Sequence, residues 1–357
     1  MTPVCNTSTA DSAIAPSINV AGITADALDD LVSSLGESSY RASQIYDGMY
    51  HQRWTSWGQF LNLPKVLRTK LEMRTELRWP RLHASSGSFD GAVKHTFLLD
   101  DSNLIEGVYI PYDDRTTICL SSQVGCAMGC VFCATGSMGM KRNLSVAELV
   151  GQVVVMLNVH GRANNTPINL VFMGMGEPLH NLDHVMTAFS LFTDPKGLNI
   201  AQKRINLSTS GLVNGIQKLG TYAKRPRLAI SLNATTDECR SAIMPVNRKW
   251  NLTSLMAALK RFPLGRNEYI TIEYVLLKNI TDSVEDGQRL ALFAKQFPSK
   301  VNLIPFNPHK GSRFEPPSET RIDKICSILA SRGVVANVRR SRGQDVAGAC
   351  GQMVLGL

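Results

Sequence analysis

The sequence has no apolar run long enough to cross a bilayer. Its longest near the middle, Val153-Val154-Val155-Met156-Leu157, falls far short of the ~20 residues a spanning helix needs. The first twenty residues are rich in Ser, Thr and Ala but lack the basic segment and apolar core of a secretory leader. A soluble cytoplasmic protein with reduced thiols and no membrane partner is therefore expected, and a disulfide framework is not. Lys and Arg are missing from Met1 to Tyr40, where Asp11, Asp26, Asp29, Asp30 and Glu37 stand alone. There is no G-x-G-x-x-G after the first strand of the α/β portion, which argues against a dinucleotide-binding fold. Repeats beyond a strand–helix alternation, and low-complexity tracts, are also missing.

What is present concentrates in one loop. Cys126, Cys130 and Cys133 read C-A-M-G-C-V-F-C and directly follow a strand-like run from Thr116 to Leu120. Three thiolates at C-x3-C-x2-C spacing can hold three corners of a cubane iron–sulfur cluster, which usually takes four. The fourth iron is then left to ligate a small molecule and pass it an electron. Zinc is the competing ligand, but structural zinc sites usually pair two short cysteine hooks, and no second hook exists. The remaining cysteines, Cys5, Cys119, Cys239, Cys326 and Cys350, are scattered singly.

A hydrophobic content of 44% over 357 residues suits one large domain with a smaller appendage. The net charge of +9 is unevenly placed. Arg41, Arg53, Lys65, Arg68, Lys70, Arg74, Arg78 and Arg81 dominate residues 41–81, and Lys141-Arg142, Lys224-Arg225 with Arg227, and Arg339-Arg340 with Arg342 follow. Such charge suggests a polyanionic partner, RNA or DNA, or simply a solvated surface. Residues 1–20 read as disordered. Residues 21–90 read as a helical accessory domain for RNA, with Thr24 capping a first helix that stops at Gly36, a second over 41–52, and a third from Pro64 to about Arg74. Trp54, Trp57 and Tyr50 could stack on bases there, although core packing is the commoner fate of Trp in a small module. Residues 91–115 hold linking strands at 96–99 and 104–110.

From residue 116 to 342, strands at 117–122, 169–173, 204–210, 227–233, 269–277, 301–306 and 334–339 alternate with helices at 145–158, 182–192, 211–219, 252–262, 283–297 and 319–331. This predicts an α/β fold, a partial parallel (β/α)6-type barrel with the small N-terminal domain attached. Chemistry in such barrels sits on loops after the strands, where the cysteine loop and Gly174-Met175-Gly176-Glu177-Pro178 both fall. Residues 343–357 form a C-terminal segment.

The cysteine spacing after the first strand resembles the radical S-adenosylmethionine (SAM) superfamily, in which the open iron binds SAM and electron transfer yields a 5'-deoxyadenosyl radical. The stretch C-L-S-S-Q-V-G-C-A-M-G-C-V-F-C-A-T-G with R-N-L following, then M-G-M-G-E-P, L-S-T-S-G and G-A-C-G-Q, together resemble the RlmN-type RNA methyltransferases over residues 38–353. That resemblance implies a [4Fe–4S] cluster on Cys126, Cys130 and Cys133, two SAM molecules per turnover, and 2-methyladenosine formed in 23S rRNA and in tRNA beside the anticodon. Related Cfr-type enzymes methylate C8 instead. The segment around Tyr40-Arg41-Ala42-Ser43-Gln44 leans towards C2.

Adenine C2 lies between two ring nitrogens and is no nucleophile, so direct attack on the SAM methyl is closed. The resemblance implies a detour through the protein. Cys350 takes a methyl from one SAM; a radical from a second removes a hydrogen from it, and the carbon adds to C2. Glu106 accepts the C2 proton, and Cys119 attacks the Cys350 sulfur, leaving a transient disulfide for a reductant to reopen. In its strand Cys119 shares a face with Thr117 and so can look into the barrel. The matching motifs assign SAM contacts to Gly176, Glu177, Ser208, Ser231, Leu232, Asn233 and Asn307, with Asn233 standing where relatives often have His. An electron donor such as flavodoxin is implied, a monomer is expected, and Cys5, Cys239 and Cys326 fall outside every motif.

Overall fold

The computed structural model describes residues 18–161 and 166–354. The expected disorder of residues 1–20 lies outside these up to residue 17. From there the expectation fails, because β1 (Ile18–Asn19) pairs in parallel with β2 (Thr75–Glu76). Between them lie α1 (Ala25–Ser34), capped by Thr24 as predicted, α2 (Ser39–Tyr46) running into a π-helical turn Asp47–His51, and α3 (Lys65–Arg74). Leu28, Val32, Ile45, Met49, Leu67 and Leu71 make this module's core. Tyr50 and Trp57 are buried in it, so neither is placed to stack on RNA; Trp54 is half-buried against Phe60.

The helical part is narrower than residues 21–90. Within that range β3 (Arg81–Gly87) already belongs to the main sheet, pairing antiparallel with β4 (Val93–Leu98), and β4 pairs with β5 (Leu104–Pro111). All seven residues of β3 are exposed, so its polar sequence carries no alternation to betray a strand. The linking strands of 91–115 are thus integral to the sheet.

Seven parallel strands continue it: β6 (Thr116–Cys119), β9 (Ile168–Phe172), β10 (Ile205–Thr209), β11 (Arg227–Ser231), β12 (Ile270–Leu276), β13 (Ser299–Pro305) and β14 (Ala336–Val338). Between β6 and β9 a separate hairpin, β7 (Gln123–Cys126) and β8 (Gly139–Asn143), projects from the sheet. The helices α4 (Val146–His160), α5 (Leu182–Thr193), α6 (Val213–Gly220), α7 (Asp237–Ile243), α8 (Leu252–Arg261), α9 (Val284–Ala294) and α10 (Glu319–Ser331) fill the crossovers. The sheet runs in order from β14 to β3 without closing, which makes it the partial barrel predicted. One face of its parallel strands is a continuous buried row, Leu170, Leu207, Ile230, Ile272 and Leu303, which the strand registers place on the same side. Among the described residues no helix is long and apolar enough to cross a membrane.

Candidate active site

The cysteines are presented by the hairpin rather than directly by the first strand. Cys126 ends β7, and Cys130 and Cys133 follow in a turn closed by Cys133 N–H donating to the Cys130 carbonyl (3.1 Å). Gly125, with φ of 77°, makes the hairpin possible. A Cβ there would stand 1.9 Å from the Gly139 carbonyl oxygen. The loop after β9 is sewn to the same hairpin. Ser122 N–H donates to the Met175 carbonyl (2.7 Å), Glu177 N–H to Gln123 Oε1 (2.8 Å), and Asn181 Nδ2 to the carbonyls of Ser122 and Leu144 (3.0 and 2.8 Å). Gly176, at φ 102°, passes so close that a Cβ would lie 2.6 Å from Gln123 Cβ.

These loops open onto one half-open cleft. Cys126, Cys130, Cys133, Gly176, Glu177, Ser208, Ser231, Asn233, Asn307 and Cys350 all line it. Glu177 is buried; its Oε2 accepts from both the N–H and Oγ of Ser210 (2.8 Å each), and burial raises its carboxyl above the usual range. Ser208 and Ser231, on adjacent strands, bring their hydroxyls within 3.2 Å. Asn233 adopts φ 58°, a conformation Asn tolerates well, and its Oδ1 accepts from Val275 N–H (2.9 Å). Its side chain is thus engaged in joining two strand ends. Leu232 is fully buried and does not line the cleft; only its backbone is near.

Cys350 sits on a C-terminal segment tied down at several points. Ala134 N–H donates to the Gly351 carbonyl (2.7 Å), Thr135 Oγ1 to the Met353 carbonyl (2.6 Å), and Asn307 Nδ2 to the Cys350 carbonyl (3.0 Å). The segment lies over the sheet face that carries Lys94 and Val108, both 3.6 Å from where a Gly348 Cβ would be. The register places Val108 opposite Cys119 and Glu106 two residues along, so Glu106, Cys119 and Cys350 meet at this face. Cys119 and Glu106 do not line the cleft itself; both are buried beneath the segment. Cys119 and Cys350 are free thiols. Burial, reinforced by the charge of Cys350, pushes the Cys119 thiol up to about 12, while Arg339 acts against it.

The sequence compares closely with known proteins over nearly its whole length. A family model of the radical SAM superfamily matches residues 120–290, and one of the ribosomal RNA large subunit methyltransferase N-terminal domain matches residues 18–77. The dual-specificity RNA methyltransferase RlmN of Syntrophotalea carbinolica is 44% identical over 94% of this chain and 89% of its own length. Its counterpart RlmN 2 of Myxococcus xanthus is 46% identical over 94% and 90%. The crystal structure of a radical SAM methyltransferase from Sphaerobacter thermophilus superposes with a TM-score of 0.90 at 39% identity, covering 94% of this chain and 98% of that one.

The chain belongs to the RlmN family of radical SAM RNA methyltransferases.

The cofactors of this family, a [4Fe–4S] cluster and SAM, fit the donor set. Cys126, Cys130 and Cys133 face one cleft and act on one another electrostatically. Burial pushes the Cys126 thiol up to about 12 and raises the other two, so binding iron is what would deprotonate them. Among the described residues no three His, Cys, Asp or Glu side chains converge as a single metal ion requires; a cubane spreads its thiolates over separate irons.

Sequence reasoning missed three cations in and around this RlmN-type site, Lys94 and Arg240 buried and Arg339 half-buried. Lys94 Nζ lies 3.1 Å from Glu106 Oε1. Arg339 Nη1 lies 3.7 Å from Glu273 Oε2 in the cleft, with Cys350 the main influence favouring its charge. Arg240 is fully enclosed on α7. Arg339 was visible only as part of a basic cluster; nothing local distinguishes the other two.

Proposed function

We propose that this enzyme methylates C2 of adenosine in 23S rRNA and tRNA, with the methyl group carried on Cys350. The observation that carries the reading is the meeting of Cys350, Cys119 and Glu106 at one sheet face beside the three-cysteine cleft. Cys126, Cys130 and Cys133 hold the cluster, while Gly176, Glu177, Ser208, Ser231, Asn233, Asn307 and the backbone of Leu232 hold SAM. When bound, these cofactors supply the methyl group and, from a second SAM, the radical that removes a hydrogen from it.

The chain's own residues do the rest. Cys350 sulfur forms a bond to the methyl carbon as the carbon–sulfonium bond breaks. Once that carbon has joined adenine C2, Glu106 takes the C2 proton; burial gives it a basicity above that of an ordinary glutamate. Cys119, as thiolate, then bonds to Cys350 sulfur as the Cys350 sulfur–carbon bond breaks; the electron pair of that bond stays with the released CH2 carbon, which takes a proton to become the methyl group of the freed RNA. A flavodoxin-type donor supplies electrons, and a separate reduction of the disulfide restores both thiols. The helical module and the barrel rim hold the RNA, with the target adenosine turned out of its stack. The enzyme works as a cytoplasmic monomer.

C2 rather than C8 is favoured by the match of residues 18–77 to the ribosomal RNA methyltransferase N-terminal domain and by relatives named RlmN. The test is anaerobic reconstitution with iron and sulfide, methylation of naked rRNA and tRNA, and mass spectrometry of the digested nucleosides. 2-Methyladenosine from both RNAs is the expected product; 8-methyladenosine alone would refute the C2 assignment.

A further inference from the structure

Arg240 has no solvent exposure, yet it makes no ion pair with a carboxylate among the described residues. Its guanidinium reaches from α7 under the carboxyl ends of β10 and β11. Nε donates to the Leu232 carbonyl (3.0 Å), and Nη2 donates to the carbonyls of Ser210 (2.6 Å) and Ser231 (3.3 Å). Nη1 donates to Asn247 Oδ1 (3.0 Å), and Asn247 is itself fixed by Nδ2 donating to Asp237 Oδ1 (2.9 Å) and Ser241 Oγ (2.8 Å). The planar fork therefore ties together the backbone just behind residues that line the cleft.

A buried cation held only by neutral acceptors is costly unless an anion balances it. Of the charges that act on Arg240, Cys130 leads and Asp237 follows. The cysteine loop also packs on the same helix: Val131 N–H, beside Cys130, donates to the Ile243 carbonyl (3.1 Å), three residues along α7 from Arg240. Once iron has deprotonated them, three thiolates would crowd this pocket, with the Glu177 carboxyl acting on Cys126 and Cys130 as well. Arg240 stands behind them as a fixed positive charge.

We propose that Arg240 is a positioning residue with two separable roles: its charge balances the anionic cluster, and its hydrogen-bond fork fixes the strand ends that present Ser208, Ser210 and Ser231 to SAM. A positive charge near a cluster favours the reduced form, which carries one more electron, so losing it lowers the midpoint potential. The fork can fail without loss of charge, because lysine cannot span three carbonyls and an amide at once.

Full-length Arg240→Gln, Arg240→Lys and Asn247→Ala proteins, reconstituted anaerobically, separate the two roles. An EPR-monitored redox titration gives the midpoint, and equilibrium dialysis gives the affinity for SAM. Arg240→Gln should show a midpoint more negative than the parent, while Arg240→Lys and Asn247→Ala stay at the parent value. All three should bind SAM about tenfold or more weakly, the usual cost of losing an outer-shell partner. A parental midpoint in Arg240→Gln overturns the charge role, and parental SAM affinity in both arginine variants overturns the fork role. Should Arg240→Gln fold but take up no iron, normal loading of Arg240→Lys supports the charge role and equal failure overturns it; Asn247→Ala then tests the fork. A parent enzyme that loads no cluster would instead sink the assignment of the cysteines.

Discussion

Lys94 and Glu106 form a buried ion pair, Nζ to Oε1 at 3.1 Å, on adjacent antiparallel strands. Burial raises the Glu106 carboxyl, and the Lys94 charge works against that rise, as does the Val354 backbone N–H. Burial thus favours the neutral acid while Lys94 and the Val354 N–H favour the carboxylate, in a site that water scarcely reaches. Lys94 itself touches the C-terminal segment's side of the sheet, so the proposed proton acceptor and the proposed methyl carrier share one wall.

Replacing Lys94 with Met should move the acid limb of the pH–rate profile to higher pH, because the cation that favours the carboxylate is gone. The folded protein holds Glu106 above its unfolded value, so its ionisation costs stability as pH rises through the folded value. Lys94→Met should thus lose about 3 kcal/mol at neutral pH and recover part of it in acid, as measured by urea unfolding at several pH values. An unmoved acid limb would remove Glu106 from the proton transfer.

Cys350→Ala should leave iron content and SAM binding near normal while abolishing RNA methylation. Cys119→Ala should still take a methyl onto Cys350 and reach RNA, but lack the thiol that releases it. A covalent protein–RNA species should then accumulate, visible as a ribonuclease-sensitive shift on a denaturing gel. Full turnover by Cys350→Ala would overturn the carrier role.

Arg339→Gln removes a guanidinium whose charge is favoured chiefly by Cys350, then by Glu273 and Cys119. Loss of one charge-assisted interaction of ~1.5–3 kcal/mol corresponds to a ten- to hundredfold slower methyl uptake by Cys350. Intact-protein mass spectrometry over a time course reads this directly.

Gly125→Ala places a Cβ against the Gly139 carbonyl at a φ of 77°. The β7–β8 hairpin cannot close around it, so Cys126 leaves its position. The variant should fold, because the core of the sheet is untouched, yet bind less than half the parental iron after reconstitution (roughly, from the 10–100-fold penalties for disturbed metal shells). Parental iron content would show that the hairpin tolerates the strain.

The sequence alone determined the parts of this protein that are local. Strand–helix alternation specified the parallel sheet because each crossover must bury its own apolar stripe. The spacing of Cys126, Cys130 and Cys133 specified a thiolate loop because residues three and four apart in one turn come together without help from the rest of the chain. Motif matches also predicted that Cys350, Cys119 and Glu106, far apart in the chain, would lie close together, and the structure brings them to one sheet face. Tertiary structure alone decided which charges were taken wholly or partly out of water. Lys94, Arg240 and Arg339 look like any other basic residues until β4 meets β5, α7 folds beneath β10 and β11, and β14 docks on β13. The exposed edge strand Arg81–Gly87 and the two-residue pairing of Ile18–Asn19 with Thr75–Glu76 were equally hidden. Their strand character comes from hydrogen bonds to distant partners, and no periodicity within either segment records it.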